Sequence, residues 1–180
     1  GDRLIGNAGV NRLEGGAGDD LISGRGGADA LIGGAGIDTS TYNASTAGVN
    51  VNLATGTGLG GDAQGDTLSG IENVIGSAYD DTLTADGHAN ALTGGNGIDT
   101  VSLAMSSAAV RVDLTAGIGT GGDAEGDTYA TIENIVGSGF NDTLIGTAGA
   151  NVIDGGEGDD TLAGRQGADR LIGGGGIDTA

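Results

Sequence analysis

Single apolar residues recur along this chain at a fixed interval, set among glycines and aspartates. From residue 6 to residue 41 the sequence divides without a gap into GNAGVNRLE, GGAGDDLIS, GRGGADALI and GGAGIDTST. The eighth position of this unit holds Leu4, Leu13, Ile22, Leu31 and then Ser40, and the sixth holds Asp2, Asn11, Asp20, Asp29 and Asp38. The unit returns over about 67–102, with Glu72, Asp81, Asn90 and Asp99 at its sixth position. It returns again over 128–180, with Glu133, Asp142, Asn151, Asp160, Asp169 and Asp178. One apolar residue between two polar ones suits a very short strand with one side chain facing inward. Gly-Gly-x-Gly suits the tight turn before it, because glycine reaches positive φ without steric cost. Nine residues therefore predict a turn and a strand, and eighteen predict a full circuit. Stacked circuits predict an all-β fold of two parallel sheets enclosing a ladder of Leu, Ile and Val.

A longer period of 61 residues is superimposed, for residues 33–93 align without gaps on 94–154. GGDAQGDTLSGIENVIGSAYDDTL thereby matches GGDAEGDTYATIENIVGSGFNDTL. The chain reads as one continuous solenoid with repeat blocks at 1–41, 67–102 and 128–180, joined by corresponding connectors at 42–66 and 103–127. Fixed periods of this kind mark a repeat architecture. In the connectors Val49, Val51 and Leu53, and again Val110, Val112 and Leu114, alternate with polar residues. That alternation predicts a half-buried strand longer than the repeat's own. Ser40 stands where an apolar residue is expected, at the predicted handover from roll to connector.

Composition supports a thin core. The 42 glycines in 180 residues are roughly three times the usual ~7%, and only the period separates such a chain from a disordered one. Proline, cysteine and tryptophan are absent, which excludes disulfides and thiolate metal sites. Net charge is −19, from 20 Asp and 5 Glu against 6 Arg and no Lys. Such a chain repels nucleic acid and anionic membrane surfaces. The excess of Asp over Glu points to turns and hard-metal loops, where a short carboxylate fits. No signal peptide and no apolar run of about 20 residues is present, so membrane insertion is not expected. The chain begins at GDRLI and ends at GGIDTA, both in mid-repeat, and is read as a fragment of something longer.

GGAGDDLIS and GGEGDDTLA resemble the repeats-in-toxin nonapeptide, whose pattern is GGxGxDx-apolar-x. The resemblance covers most of the chain. It implies a calcium-bound parallel β-roll in a bacterial protein exported by type I secretion, hence secreted or on the cell surface. It further implies that an ion sits between two turns on the same side, eighteen residues apart. On that spacing Asp2/Asp20, Asp20/Asp38, Asp81/Asp99, Asp142/Asp160 and Asp160/Asp178 are full Asp–Asp pairs. Asn11/Asp29, Glu72/Asn90, Glu133/Asn151 and Asn151/Asp169 are mixed pairs on the opposite side. Asn carries no charge and holds calcium less strongly, which predicts about five strong sites on one edge and up to four weaker ones on the other; whether the Asp-rich edges of the three blocks line up depends on the connectors. The same resemblance assigns ligand roles to the turn residues Gly15, Ala17, Gly24, Gly26, Gly33 and Ala35 and to Asp19, Asp80 and Asp159. In the connectors Asp62, Asp66, Asp123 and Asp127 are second-rank candidates, as ligands or as ordinary turn residues. About nine divalent ions would bring about 18 positive charges, close to cancelling −19.

Catalytic readings fail on context. Gly56–Gly61 and Gly117–Gly122 both match GxGxxG, but no helix-forming stretch follows either one. The absence of lysine excludes a P-loop, and neither HExxH nor GxSxG occurs. Adjacent Asp19/Asp20 and Asp159/Asp160 imitate a glycosidase pair, yet they recur at turn after turn. His88 reads as an exposed turn residue and Met105 as a core residue. The expected function is a calcium-ion-binding module, without catalysis of its own, that folds on extracellular calcium and supports folding and secretion of a larger protein. Two alternatives stand beside it: an accessory module of a secreted enzyme such as a metalloprotease or alginate epimerase, and a structural or adhesive stalk. Calcium ions are the expected partners, with the type I secretion apparatus during export and a polysaccharide as further candidates.

Overall fold

The computed structural model describes residues 1–180. Twenty strands form two sheets of ten, and the only helical turns are the short 3₁₀ segments Gly61–Ala63 and Gly122–Ala124. No helix is long and apolar enough to cross a membrane. Along the first sheet the strands are Arg3–Ile5, Leu21–Ser23, Thr39–Thr41, Asn73–Ile75, Ala91–Thr93, Thr128–Ala130, Ile118–Thr120, Arg111–Asp113, Thr143–Ile145 and Thr161–Ala163. Along the second they are Arg12–Ala17, Ala30–Ala35, Thr67–Ser69, Thr57–Leu59, Asn50–Asn52, Thr82–Thr84, Thr100–Ser102, Asn134–Val136, Val152–Glu157 and Arg170–Gly175. Successive repeats alternate between the sheets, and like strands pair in parallel, as Leu4 with Ile22 and Leu13 with Leu31. This is the two-sheet parallel roll that the nine-residue period predicts.

The middle residue of each short strand faces the other sheet. Ile22, Leu31, Val74, Leu83, Leu92, Val101, Ile135, Leu144, Ile153 and Leu162 are all 0–3 % exposed and belong to one apolar cluster. Each rung contributes one such side chain, so the core is one layer thick and continuous along the axis.

The connectors do not interrupt this ladder; each widens one sheet. Residues 50–69 form a three-stranded meander in which Val51 lies opposite Gly58 and Thr57 opposite Thr67, all antiparallel. This meander enters the second sheet between the strands Ala30–Ala35 and Thr82–Thr84. Residues 111–130 repeat it in the first sheet, with Val112 opposite Gly119. Glycine is required in the middle strand: a methyl at Gly119 would lie 2.6 Å from the Tyr129 hydroxyl and 2.7 Å from the Ala124 carbonyl.

Three expectations are corrected here. The connector strands Asn50–Asn52 and Arg111–Asp113 are three residues long, no longer than those of the repeat. Each stops because its last residue turns the chain, with Asn52 Oδ1 accepting from Thr55 N–H and Asp113 Oδ1 from Ala116 N–H. The first sheet does not break at Ser40, which is fully buried and pairs with Ile22 on one side and Val74 on the other. The departure occurs in the opposite sheet instead. Met105 is not a core residue; it is 52 % exposed, with its sulfur 3.4 Å from Asn52 Nδ2.

Candidate metal centres

From Asp20 to Asp169 each sixth-position aspartate sits at the end of a turn, immediately before a strand, and one of its oxygens is committed to the roll; Asp178 does the same before the Thr179–Thr161 bridge. Asp20 Oδ1 accepts from Asp2 N–H at 2.6 Å, and Asp38 Oδ1 from Asp20 N–H at 2.8 Å. Asp99 receives Asp81, Asp160 receives Asp142 and Asp178 receives Asp160 at 2.7–3.0 Å. On the opposite edge Asp29 receives Asn11 at 2.7 Å and Asp169 receives Asn151 at 3.0 Å. The eighteen-residue spacing thus brings both members of these pairs together, carboxylate to backbone. This is the turn-forming role open to any aspartate.

The second oxygen is different. Oδ2 of Asp20, Asp29, Asp38, Asp99 and Asp160 is buried and has no hydrogen-bond partner. A methyl built on the first glycine of the turn would run into this oxygen at Gly15, Gly24, Gly33, Gly94 and Gly155. At Gly15 it would also meet the Gly33 carbonyl at 2.7 Å, and at Gly155 the Gly173 carbonyl at 2.6 Å. A free carboxylate oxygen and a carbonyl from the next circuit therefore face one point. Nowhere do three or more Asp, Glu or His side chains converge, so a cation here draws on carbonyls as well. Such mixed oxygen sets are what calcium takes, and an isolated buried carboxylate oxygen carries a large desolvation cost without one.

Electrostatics agree with that geometry. Burial raises the carboxyl pKa of Asp29 and Asp160, and pushes those of Asp66, Asp99 and Asp127 to about 6. Neighbouring carboxylates add to each shift. A divalent ion reverses both causes at once.

Other predicted ligands are already occupied. Asp81 Oδ1 accepts from Ser77 Oγ at 2.8 Å, and Asp142 Oδ1 from Ser138 Oγ at 2.8 Å, while their Oδ2 atoms receive the same serines' N–H groups. Asn90 Nδ2 donates to the Glu72 carbonyl at 2.9 Å and Asn151 Nδ2 to the Glu133 carbonyl at 2.6 Å. These amides satisfy carbonyls without an ion. Asp19, Asp80 and Asp159 are exposed and hold the adjacent turn, accepting from Ile37, Ile98 and Ile177 N–H at 2.8–2.9 Å. Among the turn residues, the Gly24 carbonyl lies 2.5 Å from a methyl built on Gly6, beside Asn11 Oδ1. Ala35 O accepts from Gly18 N–H. Gly15 and Ala17 lie in a strand paired with Ala30–Ala35. Gly26 lies near Asp62, whose Oδ1 is 3.9 Å from a methyl built there. Asp2 and Asp178 are exposed at the two ends of the roll. His88 is exposed, and its pKa is raised by a 3.1 Å contact with Asp86.

The five Asp–Asp pairs do not share one edge. Asp2, Asp20, Asp38, Asp142, Asp160 and Asp178 enter the first sheet, whereas Asp81 and Asp99 enter the second. The chain crosses between the sheets an odd number of times in each 61-residue unit, because the three strands of a meander stay in one sheet and count as a single stop. Each unit is therefore laid down on the opposite face. The connector aspartates also prove to be part of the ladder: Asp66 Oδ1 accepts from Asp29 N–H and Asp127 Oδ1 from Asn90 N–H, both at 2.8 Å. Their sequence signal was present, since GDAQGDTLS and GDAEGDTYA are nonapeptides with Asp66 and Asp127 at the sixth position. Asp62 and Asp123 are only half-buried, and their N–H groups donate to Ser45 and Ser106 Oγ at 3.0 Å.

Compared with known protein families, residues 5–39, 66–101, 136–171 and 145–180 match the RTX calcium-binding nonapeptide repeat (4 copies). The chain belongs to the RTX repeat family. No curated protein matches it. RTX membership and the two-sheet architecture together make the chain a calcium-binding β-roll module. The matched RTX segments include Asp20, Asp29, Asp38, Asp99 and Asp160, the five aspartates whose second oxygens are buried and free.

Proposed function

We propose that this module is a calcium-dependent folding switch in an exported bacterial protein, without catalysis of its own. The chain is unfolded at the low calcium of the cytosol, passes through a type I secretion apparatus, and closes into the roll outside the cell. The observation that carries this reading is the row of buried, unpartnered Oδ2 atoms at Asp20, Asp29, Asp38, Asp99 and Asp160. Three-residue strands cannot hold themselves together, and without cations the roll must bury these charges within a chain of net charge −19. Binding free energy at sites that exist only in the folded chain is folding free energy. Far-ultraviolet circular dichroism during a calcium titration from excess chelator tests this reading. The expected result is a disordered spectrum that converts to β-structure as calcium rises; full β-structure in chelator would sink the switch.

A further inference from the structure

One cavity of the molecule gathers two arginines and no carboxylate. It lies on the outer face of the first sheet, where the first connector leaves the strand Thr39–Thr41, and encloses about 70 Å³. Its polar lining is Arg3, Ser23, Arg25, Thr41 and Asn43, with Ile5 among its apolar residues. The chain carries 25 acidic residues against 6 arginines, so a lining of this sign runs against the charge of its surroundings. None of the chain's ion pairs includes Arg3 or Arg25. Thr41 is 7 % exposed, and its Oγ1 is buried without a hydrogen-bond partner. Buried hydroxyls are normally satisfied, and this one belongs to a residue that borders the cavity.

Arg25 is also held in an unfavourable backbone conformation. Its φ is 65°, at the position of GRGGAD where GGAGDD has glycine. A side chain in the left-handed region costs energy that glycine avoids, and such residues cluster at functional sites. Arg165 in GRQGAD is a second arginine of this kind, at φ 71°. There the partner is present: Arg165 Nη2 lies 3.6 Å from Asp113 Oδ2, and Arg111 Nη2 lies 3.7 Å from the same oxygen. Arg111 opens a strand of the first sheet, and Arg165 lies two residues beyond the end of another. Arg3 and Arg25 stand in the same two kinds of place, at the start of Arg3–Ile5 and two residues beyond Leu21–Ser23. One pair of arginines holds a carboxylate of the chain itself, and the other has none.

We propose that the cavity between Arg3 and Arg25 binds a carboxylate from outside the chain, borne by a small acid or by an acidic sugar. Guanidinium groups match the two oxygens of a carboxylate, and at about 70 Å³ the cavity has room for that group. The Thr41 hydroxyl supplies a further donor, and Ser23 and Asn43 supply polar groups for the atoms that carry the carboxylate. The site uses none of the turn aspartates and goes beyond the calcium reading of the chain.

The whole chain, folded in calcium at fixed free calcium and ionic strength, is titrated with sodium acetate and with sodium glucuronate and followed by heteronuclear NMR. Sodium chloride and glucose are the controls. Saturable shifts at Arg3, Ser23, Arg25 and Thr41 with either acid, and none with the controls, are expected. Tighter binding of glucuronate than of acetate assigns the carboxylate to a sugar, and equal affinity assigns it to a small acid. No saturation with either acid overturns the site. Arg25→Gly restores the glycine of the repeat and relieves the left-handed strain, so this variant keeps the fold. It should weaken acetate binding by about tenfold, through loss of a charge-assisted hydrogen bond; undiminished affinity overturns the proposal as well.

Discussion

The phenol of Tyr42 donates to Asp66 Oδ2 at 3.2 Å, in the core beneath the first meander. Asp66 is 2 % exposed and its other oxygen is already used by Asp29 N–H, so the tyrosine gives this carboxylate the partner that Asp29 Oδ2 lacks. The equivalent carboxylate in the second meander, Asp127, receives Tyr129 at 2.9 Å. The donors are not equivalent in sequence: Tyr42 aligns with Leu103, and Leu68 with Tyr129. A residue just past a strand, Tyr42, and one within a strand, Tyr129, deliver the same hydrogen bond. Tyr42→Phe and Tyr129→Phe should each destabilise the calcium-loaded chain by about 1–3 kcal/mol, since each leaves a buried carboxylate oxygen unpaired. Urea denaturation at fixed calcium measures this, and a loss confined to one of the two variants would contradict the shared role.

Asp66, Asp99 and Asp127 have carboxyl pKa values raised to about 6, chiefly by burial. A folded-state pKa above the unfolded value gives stability that is complete below the unfolded pKa, near 4, and is lost as pH rises through about 6. In excess chelator the roll should therefore be more stable at pH 5 than at pH 7.5. Calcium affinity should move the opposite way, falling as pH drops through the same window. Far-ultraviolet circular dichroism in chelator at the two pH values checks the first statement; more β-structure at pH 7.5 than at pH 5 would refute it.

Asn90 meets the Glu72 carbonyl with an amide N–H at 2.9 Å. Asn90→Asp replaces that donor with a charged acceptor, setting a carboxylate against a carbonyl. The variant should bind more calcium than the parent. Titration calorimetry reads the added ion, and an unaltered stoichiometry counts against the assignment of Asn90 as an ion substitute.

Gly155 marks the cradle shared by Asp160 Oδ2 and the Gly173 carbonyl. Gly155→Ala should eliminate the adjacent ion and destabilise the loaded chain. Gly139 has nothing within 4 Å of a built methyl and no positive φ, so Gly139→Ala should change stability by only about 0.5 kcal/mol. Equal effects of the two would remove the steric basis of the cradle.

Leu83 is fully buried, paired in register with Val51 on one side and Val101 on the other. Because the core is a single layer, Leu83→Ala should cost about 2–5 kcal/mol. Its counterpart Leu144, at the mouth of the second meander, should cost about the same in chemical denaturation at saturating calcium.

What the sequence determined by itself is local chemistry and its repetition. The turn glycines, the inward ladder from Ile22 to Leu162 and the pairing of Asp20 with Asp38 all follow from a nine-residue unit whose neighbours lie eighteen residues apart. The tertiary structure decided what depends on contacts at other separations. Tyr42 finds Asp66 across 24 residues and Glu72 finds Asp38 across 34, intervals belonging to neither period. The connectors read as single longer strands because Val49, Val51 and Leu53 do alternate; the antiparallel partner that makes them a meander is glycine-rich and has no apolar alternation of its own, its one large apolar residue, Leu59, being exposed. The face on which each Asp-rich stretch emerges was likewise not written at any one residue. It follows from an odd number of crossings per 61-residue unit, a property of the closed roll and not of any segment within it.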